Sequence, residues 1–311
     1  MDTSAMILFV QTILSATWRL ATPMIYASIG EVFTERSGVL NIGLEGFMLL
    51  GAFAGFAVTY FTGSLALGIL GAVLCGLIFG LLFALFTVTI KANQIVVGAA
   101  FNLIGLGLTG FLYRAWFVNK AQGIQAFPPI DIPYLSAIPF LGPVLFRHNI
   151  LVYCTVPLML IAGFVLYKTA FGLAVRSVGE HPKAADTAGV SVSLIRYAGV
   201  LIGTTLTSLG GAYLTLAHTN QFVEGITTGR GFIALAVVVF GRWSPKGAFW
   251  SSLLFGLFYA LQLRLQAIAN ITIPYQFLQA LPYVMTLLTL ILLRGRAISP
   301  KALGVPYQKS A

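Results

Sequence analysis

The chain is predicted to be all-α, a polytopic bundle of membrane helices, and three observations carry that prediction. Of its 311 residues, 58% are hydrophobic and only 8% are charged. Mean hydropathy is +0.93, beyond the range of ordinary soluble domains. The apolar residues also fall in continuous runs, whereas a transmembrane barrel would show alternating segments of about 10 residues. A bilayer core about 30 Å thick needs roughly 20 apolar residues per helix.

The runs at 5–30, 42–62, 65–90, 95–117, 150–168, 195–217, 248–265 and 276–293 approach or meet that length. A shorter ninth run, 231–241, follows Gly229 and Gly231. About nine spans are therefore expected, some of them discontinuous, in a single membrane domain covering 1–311. The first run is too long for a cleavable signal and lacks a basic leader, so it is expected to stay as a helix.

Several spans repeat small residues at every fourth position, as at Gly199, Gly203, Thr207 and Gly211, or Ala72, Gly76, Gly80 and Ala84. Lipid offers no hydrophobic drive for helix association, so such stripes let backbones approach closely. The connection at 118–149 carries five prolines, which deny it a long helix, and is expected to pack on the outer mouth. The tail at 294–311 is basic and proline-bearing and reads as cytoplasmic coil. Cys75 and Cys154 stand singly in apolar runs and read as buried structural thiols.

A net charge of +10 does not indicate nucleic acid, because its placement follows the membrane. With the C-terminus inside, 12 of the 18 Lys and Arg collect on the inner side and 5 on the outer, with Arg19 inside the first span. That bias sets orientation, and nine spans then put the N-terminus outside.

The most polar stretch lies at 172–192 between two spans. It holds Arg176, Gly179, Glu180, His181, Lys183, Asp186 and Gly189. A short charged helix fixed between spans suits docking on a soluble partner. Two apolar stretches are interrupted, at 30–47 and 224–236, and a third region at 91–104 carries amides. Unwound backbone at membrane depth is tolerated only where it is buried or lines a cavity, and discontinuous helices recur at transporter sites. Intramembrane polar groups are functional candidates by default. The candidate path residues are thus Asn41, Glu45, Asn102, Thr204 and Arg230. Each has a structural alternative. Glu45 suits capping or pairing at a helix start, Asn102 a bond between helices, and Arg230 an ion pair with Glu224. Glu35 and Arg36 read as a solvated turn or an inter-subunit pair.

No phosphate-binding GxxxxGK[ST] loop, HExxH or GxSxG occurs, and the three histidines stand apart. No catalytic residue, metal site or cofactor is expected. Any uphill transport must draw on a partner or on an ion gradient, and Glu45 and Glu31 are the mid-span acids that a gradient-driven carrier could use.

The runs ERSGVLNIGLEGFMLLGAF, KANQIVVGAAFN, FGLAVRSVGEHPKAADTAGVSV, GRGFIALAVVVFGRWSPKG and PKALGVPY resemble the bacterial nucleoside and simple-sugar ABC permeases. They do so in the family's order, outside the 118–149 loop. The wider kin carry ribose and branched-chain amino acids, and the nearest resemblance is to the shorter of two paired permeases. The resemblance implies a fold of the vitamin B12 importer type and alternating access. It also implies a second, homologous permease, a cytoplasmic ABC ATPase and a lipid-anchored or periplasmic binding protein. In that scheme the polar loop contacts the ATPase, and Asn41–Gly46 lies near the path of a small-molecule substrate. A gradient-driven carrier or a membrane scaffold is the rival reading.

Overall fold

A computed structural model describes residues 3–117, 123–266, 277, 280, 284 and 298–308. The long helices follow the apolar runs. They are α1 (Thr3–Arg36), α2 (Leu44–Thr62), α3 (Leu65–Ala84), α4 (Gln94–Phe117), α6 and α7 (Ile150–Tyr153, Thr155–Lys168), α10 (Val192–Tyr213) and α12 (Pro245–Gln266). Between them lie α5 (Leu141–Leu145), α8 (Ala170–Glu180), α9 (Pro182–Thr187) and α11 (Arg230–Phe240). One antiparallel pair, β1 (Ile130–Asp131) with β2 (Arg147–His148), closes the proline-rich connection, Ile130 opposite His148. Wider π turns extend α3 through Leu85–Thr89 and α10 through Leu214–His218.

Among the described residues six helices are long and apolar enough to cross a membrane. Three of the nine expected runs are not among them. The run at 231–241 forms α11, whose 11 residues extend only about 16 Å, roughly half a bilayer core. α1, 34 residues long and carrying Pro23, is not among the six. The run at 276–293 lies almost wholly outside the described residues.

Helix ends follow local chemistry. Gly63 adopts a left-handed conformation and its N–H returns to Thr59 O, stopping α2. Ser64 then accepts Leu67 N and starts α3. Asn93 Oδ1 accepts the N–H groups of Ile95 and Val96 and starts α4.

α10 and α2 form the centre, flanked by α1, α3, α4 and α12. The small-residue stripes lie at these contacts: Gly203 faces Gly30 and Thr34 of α1, Gly211 faces Met48 of α2, and Gly76 and Gly80 of α3 face Thr204 and Ser208. In lipid the gain is packing, not water release, so glycine's missing Cβ brings the backbones close. An aromatic cluster joins α2 and α4, with Phe47 stacked on Phe101 at 5.3 Å and Phe83 edge-on to Phe101 at 5.5 Å. The proline-rich segment packs on the end of the bundle where α1 begins and α10 finishes, through Gln11 to Phe140 O and Phe127 N to Leu216 O. Contrary to expectation Cys154 is exposed, and Cys75 is half-buried. Both lie within spans, where apolar side chains can face lipid.

Candidate functional site

The chain between α1 and α2 runs as a turn and then irregularly over 37–43, leaving backbone N–H groups with no helical partner. Such groups buried from water must find acceptors. Four side chains supply them. Gln94 Oε1 accepts Leu40 N at 2.7 Å. Glu31 accepts Asn41 N at 3.3 Å and Asn41 Nδ2 at 3.4 Å. Asn41 Oδ1 accepts Gly43 N at 2.9 Å. Asn102 Oδ1 accepts Gly46 N at 2.8 Å, while its Nδ2 donates to Ile42 O at 3.0 Å. Asn41 and Asn102 therefore hold the break between two helices.

Glu45 reaches across to α11. Its carboxylate accepts Thr227 Oγ1 at 2.5 Å and the N–H groups of Gly229 and Gly231, each at 2.7 Å. Those N–H groups are the unpaired donors at the positive end of α11. Glu45 thus caps a helix other than its own, the pairing alternative expected for it, with a partner the sequence did not indicate. Gly231 permits this because a Cβ there would collide with the Glu45 backbone.

Arg230 opens α11 but does not pair with Glu224, correcting the sequence expectation. Its Nη1 donates to Ile226 O at 3.1 Å, Thr227 O at 3.4 Å and Thr228 Oγ1 at 3.1 Å, and its guanidinium lies 5.7 Å from the Tyr259 ring centre. Glu224 pairs instead with Arg114 at 3.0 Å, where both side chains are exposed. Thr204 does not join this cluster. It is buried between α3 and α10, bonds Val200 O at 3.0 Å and packs on Gly80. Asn41, Glu45, Asn102 and Arg230 are brought together around α2 and α11, and Thr204 is a packing residue.

Glu35 and Arg36 do not form a solvated turn, since both bond within this chain. Glu35 is buried and accepts the Trp243 indole N–H. Arg36 donates to Trp243 O at 2.8 Å and stands 3.9 Å from Glu180. These bonds tie the end of α1 to the α11–α12 turn and to α8.

The polar segment folds as two short helices. Thr169 Oγ1 accepts Gly172 N at 3.1 Å and starts α8; Pro182 begins α9, where its missing N–H costs nothing. After α9, Gly189 takes φ +84° and its N–H returns to Asp186 O, turning the chain into α10. Val175, Val178 and Gly179 face the bundle, and Gly179 lies so close to the Arg36 carbonyl that a Cβ has no room. The charges divide. His181 and Lys183 are exposed. Glu180 faces Arg36, Asp186 Oδ2 accepts the Tyr307 hydroxyl at 2.9 Å, and Arg176 lies over the Tyr167 ring at 5.4 Å. An open, largely apolar groove of about 450 Å³ runs between α8 and α9, lined by Leu173, Ser177, His181 and Ala184 among others.

The described part of the tail is irregular, and it packs on the bundle. Over 300–307 it lies against the bundle through backbone bonds to Gly179 and Gly38. No sequence period announces such a contact. Trp243 and Arg196, the latter 1% exposed, were also missed as junction residues. Among the described residues no His, Cys, Asp and Glu cluster could hold a metal ion.

The comparisons agree with this architecture. Residues 13–293 match the family model described as branched-chain amino acid transport system / permease component. The chain is 42% identical over 299 residues to a nucleoside ABC transporter permease protein, NupC of Lactococcus lactis, covering 93% of this chain and 94% of that one. It is 39% identical over 311 residues to the guanosine ABC transporter permease protein NupQ of Bacillus subtilis, covering 96% of each. A second guanosine permease protein of that organism, NupP, is 27% identical over 77% of this chain and 70% of its own length.

Proposed function

We propose that this chain, which belongs to the branched-chain amino acid transport system permease family, conducts nucleosides as one of two permeases in an ATP-driven importer. It is a transport permease of the ABC class and not an enzyme. The nucleoside assignment is carried by one observation, the 42% and 39% identity to permease proteins named for nucleoside and guanosine transport, over nearly the full length of each.

The partners follow the same reading. One is a homologous permease, supported by the likeness to two guanosine permease proteins of one bacterium. A cytoplasmic ABC ATPase would dock on α8 and α9, and a lipid-anchored or periplasmic binding protein would deliver substrate from the far side. Residues 1–311 act as one permease domain in the cell membrane, with the N-terminus outside and the C-terminus inside, in line with the basic-residue asymmetry. The exposed His181 and Lys183, the α8–α9 groove and the neighbouring Arg176, Gly179, Glu180, Asp186 and Gly189 form the transmission surface. Asn41, Glu45, Asn102 and Arg230 shape the path at the broken helices, and Glu45 fixes the start of α11.

In alternating access, ATP-driven closure of the ATPase would move α8 and α9, and the two permeases would rock between outward and inward openings. The test is uptake by proteoliposomes holding this chain with its second permease, ATPase and binding protein. Radiolabelled guanosine, cytidine, ribose and glucose are compared with and without ATP. Nucleoside uptake that requires ATP is the expected result. Uptake driven by an ion gradient without ATP would establish the carrier reading, and ATP-dependent uptake of sugar alone would overturn the substrate.

A further inference from the structure

Residues 300–307 make four hydrogen bonds to four different elements. Ala302 N donates to Gly179 O of α8 at 2.9 Å, and Gly304 N donates to Gly38 O in the α1–α2 turn at 3.2 Å. The Tyr307 hydroxyl donates to Asp186 of α9 at 2.9 Å. Arg196 of α10 donates from Nη1 to Val305 O at 3.0 Å. The tail therefore joins both docking helices to the turn that carries Asn41 and leads into Glu45.

Arg196 shows how strongly this junction is held. Its guanidinium is fully buried, and among the described residues it has no carboxylate partner. Nε and Nη2 have no hydrogen-bond partner there either. A buried cation is costly unless its bonds are specific, and the one bond it makes clasps the tail.

We propose that residues 300–307 are a coupling strap, a positioning segment that carries displacement of α8 and α9 to the α1–α2 turn, and through Glu45 to α11. This rests on the ATP-driven reading above. A rigid link between a driven element and a gating turn makes the two move together; without it, part of each displacement is lost in local give. The direct contacts of Gly179 and Glu180 with Arg36 join α8 to α1, so loss of the strap leaves the helices assembled. The strap adds a connection from α9, which otherwise meets the bundle mainly through its neighbours α8 and α10.

The experiment uses the whole importer in proteoliposomes and reads solute transported per ATP hydrolysed, a ratio that reduced assembly does not change. A chain ending at Ser299 and the variants Tyr307→Phe and Arg196→Gln are compared with the native chain. The truncation is expected to retain ATP hydrolysis while the ratio falls about tenfold; Tyr307→Phe, which removes one hydrogen bond, should lower it roughly two- to fivefold. An unchanged ratio in the truncated importer overturns the strap. If the truncated chain does not assemble, the two point variants decide by the same ratio, and unchanged values in both overturn it. A native importer whose uptake ignores ATP removes the ATP-driven reading and the strap with it, and that outcome is visible before any variant is measured.

Discussion

Glu45 illustrates what a single residue does here. Its carboxylate accepts three hydrogen bonds at the start of α11, and bonds to a charged group contribute about 1.5–3 kcal/mol each. Glu45→Gln keeps the shape but presents an amide N–H₂ to backbone donors that need acceptors. The importer carrying it should assemble, melt at lower temperature and take up substrate more slowly. Asn41→Leu should do likewise, because Gly43 N loses its side-chain acceptor and the Glu31 carboxylate loses one of its donors. Wild-type uptake and melting with both changes present would make these residues bystanders. Trp243→Phe tests the other junction. It leaves the buried Glu35 without its indole donor, and a loss of about 1–3 kcal/mol should appear in thermal unfolding of the purified importer. That Glu45 needs a partner was legible in the sequence, since it is a carboxylate in an apolar run. That its partner is α11, 182 to 186 residues away in the chain, was not, because capping across helices leaves no local spacing.

At the scale of elements, the transmission role proposed for α8 and α9 can be tested on single side chains. Leu173 is 60% exposed at the groove between them, so Leu173→Glu should weaken an apolar docking contact while leaving the fold intact. Lys183→Glu should act through charge on the same face, where juxtaposed like charges oppose a specific encounter. Both should lower ATP-driven uptake in proportion to lost ATPase binding, measured by co-purification. Glu180→Lys and Asp186→Lys are expected to uncouple for a different reason, as their partners are Arg36 and Tyr307 within this chain. The half-exposed Glu180 pair contributes under about 1 kcal/mol, so melting should hardly move while transport per ATP falls. Full binding and full coupling in all four variants would make the segment a mere connector. The polarity of 172–192 marked an exposed element in the sequence. Which charges face outward depended on α1 and the tail arriving beside it.

For the molecule as a whole, the proposed orientation rests on the basic asymmetry. A reporter fused after Ala311 should behave as cytoplasmic, and one inserted at 122–130 as external. Opposite labelling would invert the topology and place α8 and α9 on the wrong side for an ATPase. Stripes of small residues announced close helix packing, and those of α3 and α10 do lie at the helix contacts. The half-length of α11 was not readable in the same way: the run at 231–241 reads as a ninth, shorter span, whereas the helix it forms has 11 residues between Gly229 and Gly241.

Hydropathy by itself determined that the chain is an all-helical membrane protein, because each span must satisfy its own backbone and so writes its length locally. Polar interruptions likewise marked the broken helices, and charge placement supports the orientation and docking segment proposed above. Tertiary structure alone decided the partners: Glu45 with α11, Glu35 with Trp243, Glu224 with Arg114, and the tail with Gly38, Gly179 and Arg196. Apolar periodicity fixes which face of a helix is buried, but a buried polar group accepts any donor that the packed backbone brings within reach.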